Sequence, residues 1–265
     1  MQLKEITDYL ESIAPLSLQE NYDNAGLLIG DLDMEVNGAI CTLDSTEEVL
    51  DEAIEHNCNL VIAHHPIIFG GIKKFTDYYV HRVIKKAIKN DIAIYAIHTN
   101  LDNVLKDGVN QNIANILGVV DQSILRKKSH SKFENWEIGS GVIGQVSPSI
   151  SEAAILERVK EKLTCKMIKH TRLLGKEVNK VAICGGSGSF LLKDAMQQEA
   201  DVFITSDFKY HEFFDADNRI VIMDIGHYET EHMTKNLLIE ILSKKFPNFA
   251  ARISNVNTNP VNYFQ

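Results

Sequence analysis

The sequence is short of the residues that mark special protein classes. It has 4 cysteines, 5 prolines and 1 tryptophan in 265 residues. Cys41, Cys58, Cys165 and Cys184 are scattered without a Cys-x-x-Cys pair, so neither a disulfide framework nor a cysteine zinc site is indicated. Two of them sit inside apolar runs, where cysteine acts as a small hydrophobe. No apolar run reaches the roughly 18 residues needed to span a bilayer. The opening Met1-Gln2-Leu3-Lys4-Glu5-Ile6 lacks the apolar core of a secretory signal. Positive charge is also scarce: 27 Lys and Arg against 36 Asp and Glu leave a net charge of −9. No global field therefore draws nucleic acid or an anionic membrane. The local exception, Arg126-Lys127-Lys128, reads as a solvated segment in a linker. These absences set the expectation of a reduced, cytoplasmic protein with no membrane partner and no clear nucleic-acid surface.

What is present is ordinary globular material, 45% hydrophobic and 24% charged, enough for one large domain or two modest ones. Leu3, Ile6, Leu10 and Ile13 form a helical stripe. Strand-like runs at Gly38–Leu43, Asn59–Ala63 and Ile92–Ile97 alternate with helical patterns, the first capped by Ser45 or Thr46 and the third stopped by Gly118. This βαβαβα order calls for a mainly parallel sheet with right-handed crossovers. A polar stretch between Asp121 and Glu137 marks a candidate boundary. It is followed by a Gly-punctuated strand over 138–146 and a helix over 153–163.

The first pattern then returns. Val181-Ala182-Ile183-Cys184 repeats Ala39-Ile40-Cys41, Asp201–Asp207 overlays Asn59–His65, and Ile220–Glu231 follows Ile92–Asp102 with one inserted glycine. Three matches in the same order indicate a duplication rather than a solenoid. The expected fold is α/β: two related βαβαβ domains with mainly parallel or mixed sheets, over 1–125 and 126–231. The segment 232–265 packs back on the first, and the site lies in the cleft between them.

His64 and His65 end the second strand, His98 and Asp102 follow the third, and His227 and Glu231 follow its repeat. In α/β sheets ligands bind at these carboxyl ends. The imidazoles and carboxylates of His64, His65, Asp102, His227 and Glu231 suit divalent zinc, iron, cobalt or manganese. Two ions, roughly 3.5–4 Å apart, use such a set better than one. His98 is the sixth candidate, as a ligand, an orienting group or a proton carrier. Asp23 and Asn24 are either loop formers or supports for the site. Gly185-Gly186-Ser187-Gly188-Ser189 is a tight turn or an anion-binding loop, though it lacks the lysine of a phosphate-binding loop. Asp207, Lys209 and His211 occupy the place that His64 and His65 hold in the first half.

With these motifs in place, the chain resembles the Nif-three-like dinuclear-metal family, whose members carry the label GTP cyclohydrolase 1 type 2 homologue. The likeness rests on Tyr22–Gly30, Ala63-His64-His65-Pro66, His98–Asp102, Gly185–Gly188, Tyr210-His211-Glu212 and Gly226–Glu231. It implies two α/β domains, two divalent metal ions held by His64, His65, Asp102, His227 and Glu231, and assembly into a ring-shaped homohexamer. It also implies a small-molecule substrate, with nucleotides and phosphorylated compounds as candidates. The chain departs from the family pattern at Tyr22, where tryptophan is usual, and at Val142, where arginine is common. It lacks the large insertion found between the halves of longer members. Two function classes follow. One is a metal-dependent hydrolase, cyclohydrolase-like, phosphoesterase or amidohydrolase, with His98 or His211 moving protons. The other is a non-catalytic metal-handling or partner-binding scaffold.

Overall fold

The computed structural model describes residues 1–264. Two compact units are formed, Met1–Leu101 with Met233–Val261, and Asp102–His232 with the tail from Asn262.

The first unit is built on three strands, β2 (Ala39–Thr42), β3 (Leu60–Ala63) and β4 (Ala93–Ala96), which lie side by side and parallel. Every residue in them is buried, as expected of strands covered on both faces. β1 (Gly26–Ile29) adds antiparallel to β4, and β11 (Ala251–Ile253) adds parallel to β2. The connections are α2 (Glu47–Glu55) and α3 (Tyr79–Lys89). The Thr46 hydroxyl caps α2 by accepting from the Val49 amide at 3.3 Å. Val49, Leu50, Ala53, Val83 and Ala87 from these helices join Ile40, Val61 and Ile94 in one core. α1 (Leu3–Ile13) buries Leu3, Ile6 and Leu10, and α9 (Thr234–Lys245) packs against α1, β2 and β11. The short α4 (Thr99–Asp102) follows β4 at once.

In the second unit the sheet order is β5-β6-β8-β9-β10-β7. Its strands are β5 (Val120–Lys127), β6 (Gly139–Ser151), β7 (Lys169–His170), β8 (Glu177–Ser187), β9 (Val202–Ser206) and β10 (Val221–Asp224). β8, β9 and β10 are parallel, while β5, β6 and β7 pair antiparallel. The sheet is therefore mixed. Its helices are α5 (Val109–Leu117), α6 (Glu152–Lys162), α7 (Leu192–Gln197) and α8 (His227–Glu231). Gly118 ends α5 at φ 72°, a left-handed turn that suits glycine. Phe203, Ile222, Ala182, Leu191 and Phe208 form the core.

Two expectations are corrected. Residues 102–125 pack with the second unit rather than the first. Arg126 is not a solvated linker residue either: it lies in β5, where its guanidinium binds Asp194 at 2.5 Å and covers the Phe190 ring at 5.2 Å. A half-exposed edge strand carries too few apolar positions to stand out from a linker in the sequence.

Candidate metal centre

The first unit presents three histidines. Beyond β3 the parallel ladder continues for two more amides, His64 to the Thr42 carbonyl at 3.1 Å and His65 to Leu43 at 2.9 Å. That extension carries both imidazoles to the carboxyl end of the sheet. His98 follows β4, and its backbone amide is tied to Asn100 Oδ1 at 2.9 Å. The three rings lie with centroids 5.0, 5.2 and 5.3 Å apart. One nitrogen from each falls within 4.8 Å of the others. His64 is fully buried.

Each ring is held by its Nδ1. The partner is the Ile97 carbonyl for His64 at 2.9 Å, Asp44 for His65 at 2.7 Å and Asp23 for His98 at 2.8 Å. These oxygens can only accept, so Nδ1 carries the proton and Nε2 the lone pair. His81 and His130 have the opposite polarity, with Nδ1 receiving from the Thr76 and Lys132 amides.

Asp23 also accepts from the Thr99 amide at 3.0 Å and from the Thr99 hydroxyl. Burial alone would raise its pKa, but the hydrogen bonds from His98 and Thr99 bring it down to about 2. Asp44 is lowered in the same way: burial works against the charge, but the hydrogen bonds from His65 and Thr258 and the nearby His65 and His64 rings together outweigh it. Asn24 serves the same region by donating to the Ile68 carbonyl at 2.7 Å.

The second unit presents a different set. Gly226, at φ 98°, turns the chain from β10 into α8, which opens on His227 and ends on Glu231. His227 Nε2 lies 3.0 Å from Glu231, and its Nδ1 lies 2.6 Å from Asp207. Burial would lower the His227 pKa, but Asp207 and Glu231 together push it up to about 11. Asp207 is lowered, first by its hydrogen bond with His227. A carboxylate oxygen of Asp102, at the end of α4, lies within 4.8 Å of one from Glu231. Asn110 holds the Asp102 backbone through its carbonyl at 3.0 Å.

The glycine run has a role other than anion binding. Gly185 and Gly186 belong to β8, and their amides are already given to Asn110 Oδ1 at 2.8 Å and Thr230 Oγ1 at 2.9 Å. Gly186 sits at φ +60°, and a Cβ there would stand 2.5 Å from Glu231 Oε1. The glycine lets the carboxylate lie against the strand.

Of the sequence candidates, His64, His65 and His98 are brought together in the first unit. In the second, Asp102 and His227 each lie beside Glu231. His211 belongs to no metal-type group among the described residues; it is exposed, with its ring against Tyr210 and Phe214. Lys209 serves through its amide, which donates to Glu212 at 2.9 Å. Sequence reasoning passed over Asp44 and left Asp207 without a role. Both directly follow strand ends, at Leu43-Asp44 and Ser206-Asp207, and that position was the available signal. The donor set of imidazole Nε2 and carboxylate oxygen fits a divalent transition metal.

The chain is 36% identical over 247 residues to the GTP cyclohydrolase 1 type 2 homolog of Clostridium acetobutylicum, covering 92% of this chain and 89% of that one. It is 32% identical to the Campylobacter jejuni protein of the same name, over the full length of both. Protein SA1388 of Staphylococcus aureus has the same fold, with a TM-score of 0.91 at 30% identity, covering 100% of this chain and 99% of that one. A Bacillus cereus protein related to NIF3 matches at a TM-score of 0.90 and 27% identity, with the same coverage. Residues 1–260 match the family described as Duf34/NIF3 (NGG1p interacting factor 3), and the chain belongs to that family.

Proposed function

We propose that this protein is a metal-dependent hydrolase acting on a small molecule, a nucleotide or phosphorylated compound being the first to test. The ligands it would use are His64, His65, Asp102, His227 and Glu231. The observation that carries this reading is the anchoring of every histidine in the set through Nδ1, which aims Nε2 of His64 and His65 as ligand atoms and sets that of His227 beside the Glu231 carboxylate. Three imidazoles and two carboxylates exceed what one tetrahedral ion takes, which favours two ions of the zinc, iron, manganese or cobalt type. Two such ions supply Lewis-acid charge that makes water reactive near neutral pH.

The chain's own residues do the rest. Asp44, Asp207 and the Ile97 carbonyl fix ring direction. Gly186 seats Glu231. His98, beside His64 and His65 and backed by Asp23, is placed to move a proton. His211, exposed and packed on Tyr210 and Phe214, is the alternative proton carrier.

The arrangement also fits a duplication. β2-β3-β4 and β8-β9-β10 are each three adjacent parallel strands in chain order. Each third strand is followed by a short helix, α4 or α8, ending in an acidic residue. Assembly as a homohexameric ring and a cytoplasmic setting belong to the same reading.

The test is turnover by metal-loaded protein of a panel of nucleotides and phosphoesters, compared with Glu231→Gln. Metal-dependent turnover lost in the variant supports the hydrolase. Equal turnover by both removes this site as the catalyst and leaves a metal-handling role.

A further inference from the structure

Away from the metal-type residues, the second unit contains a cavity of about 600 Å³, a size typical of small-molecule sites. Its walls bring together two chemistries. β7 and the residues after it contribute Lys169, His170 and Arg172. The 3-10 helix Tyr210–Ala216 contributes Tyr210, Phe213 and Phe214.

The aromatic side is supported from beneath and open above. Phe213 packs on the second core and lies 5.3 Å from the Phe208 ring, which anchors the helix. Tyr210 and Phe214 are 73% and 66% exposed, with centroids 5.6 Å apart. Large aromatic faces left in water favour a flat partner that covers them.

The basic side is unevenly used. Lys169 is engaged with Asp224 at 2.6 Å. Arg172 is exposed and makes no ion pair among the described residues. The one carboxylate in the lining, Asp217, stands in a left-handed turn at φ 46°.

A purely apolar ligand would cover the rings and leave the arginine unmatched. A simple inorganic anion would meet the arginine and leave the rings in water. One molecule with a planar ring and an anionic group satisfies both walls, since guanidinium pairs with phosphate in a two-pronged fashion and rings stack on rings. We propose that this cavity binds a small aromatic anion of the nucleoside monophosphate class. The site goes beyond the metal centre, because none of His64, His65, Asp102, His227 or Glu231 lines it.

The experiment is calorimetric titration of the full chain with AMP, adenosine and inorganic phosphate as separate probes. Saturable AMP binding is expected, weakened at least tenfold by Arg172→Gln and by Phe214→Ala. Adenosine binding should respond to Phe214→Ala and not to Arg172→Gln. Both side chains are exposed, so thermal melts of the variants should match the wild type; Tyr210→Ala replaces Phe214→Ala should that variant melt early. Two results would overturn the proposal. One is no saturable AMP binding, or AMP binding unchanged in both variants. The other is a change of oligomeric state in Phe214→Ala by light scattering with AMP affinity intact, which would make the aromatic patch a contact between copies. Neither readout uses turnover, so failure here leaves the hydrolase reading standing.

Discussion

At the carboxyl ends of β3 and β4 the first unit gathers His64, His65 and His98; at the ends of β9 and β10 the second gathers Asp207, His227 and Glu231. In the first, the carboxylates of Asp23 and Asp44 stand behind the rings, on Nδ1. In the second, acid groups sit on both sides of one ring, Asp207 on Nδ1 and Glu231 on Nε2. The first arrangement sets direction, while the second sets charge: a field that holds a proton on His227 up to about pH 11 also attracts a divalent cation. The first unit aims neutral donors, and the second concentrates negative potential.

The most severe way to break this comparison is to remove a donor from the direction-setting half. His64→Ala deletes a fully buried ring and should weaken metal binding by more than about 100-fold, beyond the loss typical of supporting residues. Competition against a chelating dye would measure it.

Next comes the seat of the charge-setting half. Gly186→Ala combines a left-handed backbone with the 2.5 Å approach to Glu231 and should cost ~2–3 kcal/mol. Gly175→Ala, at φ +72° with nothing within 4 Å, should cost only the backbone strain, ~1 kcal/mol. Urea unfolding separates the two.

The supporting carboxylates should each matter by about 10–100-fold in metal affinity. Asp207→Asn is expected at the upper end and Asp44→Asn at the lower: both lose one negative charge, but Asp207 is one of two carboxylates on a single ring, whose combined field is what the second unit supplies. Equal losses would erase the distinction drawn between the two halves.

The smallest effect is a pH dependence within the first unit. The Asp23 side chain is fully buried, and its folded pKa, about 2, lies below the ~3.9 of an unfolded aspartate. In chelator-treated protein it therefore contributes ~2 kcal/mol of stability. That stability is complete above about pH 5 and is lost as the pH falls through about 2. Asp23→Asn should flatten the fall in urea midpoint across this window.

The sequence made the centre more legible than its surroundings. β2, β3 and β4 were readable because strands buried on both faces are continuous apolar runs, and the histidines stand where those runs stop. β5 was not, because an edge strand with one wet face looks like a linker. The two- and three-residue strands β7 and β11 carry too little pattern to be seen. The glycine run was correctly seen as important, but its purpose was hidden: only folding shows that Gly186 faces Glu231. Asp44 and Asp207 were hard to assign because each acts on a histidine 21 or 20 residues further along, a partnership that no local spacing reveals.

The central proposal is that His64, His65, Asp102, His227 and Glu231 are the ligands of two ions. Native mass spectrometry of metal-reconstituted protein, alongside His65→Ala and Glu231→Gln, tests it most directly. The account predicts two ions per chain in the wild type and loss of ions in each variant, whichever unit carries the substitution. Wild-type protein without a transition metal, or ion content unchanged by both substitutions, would contradict it.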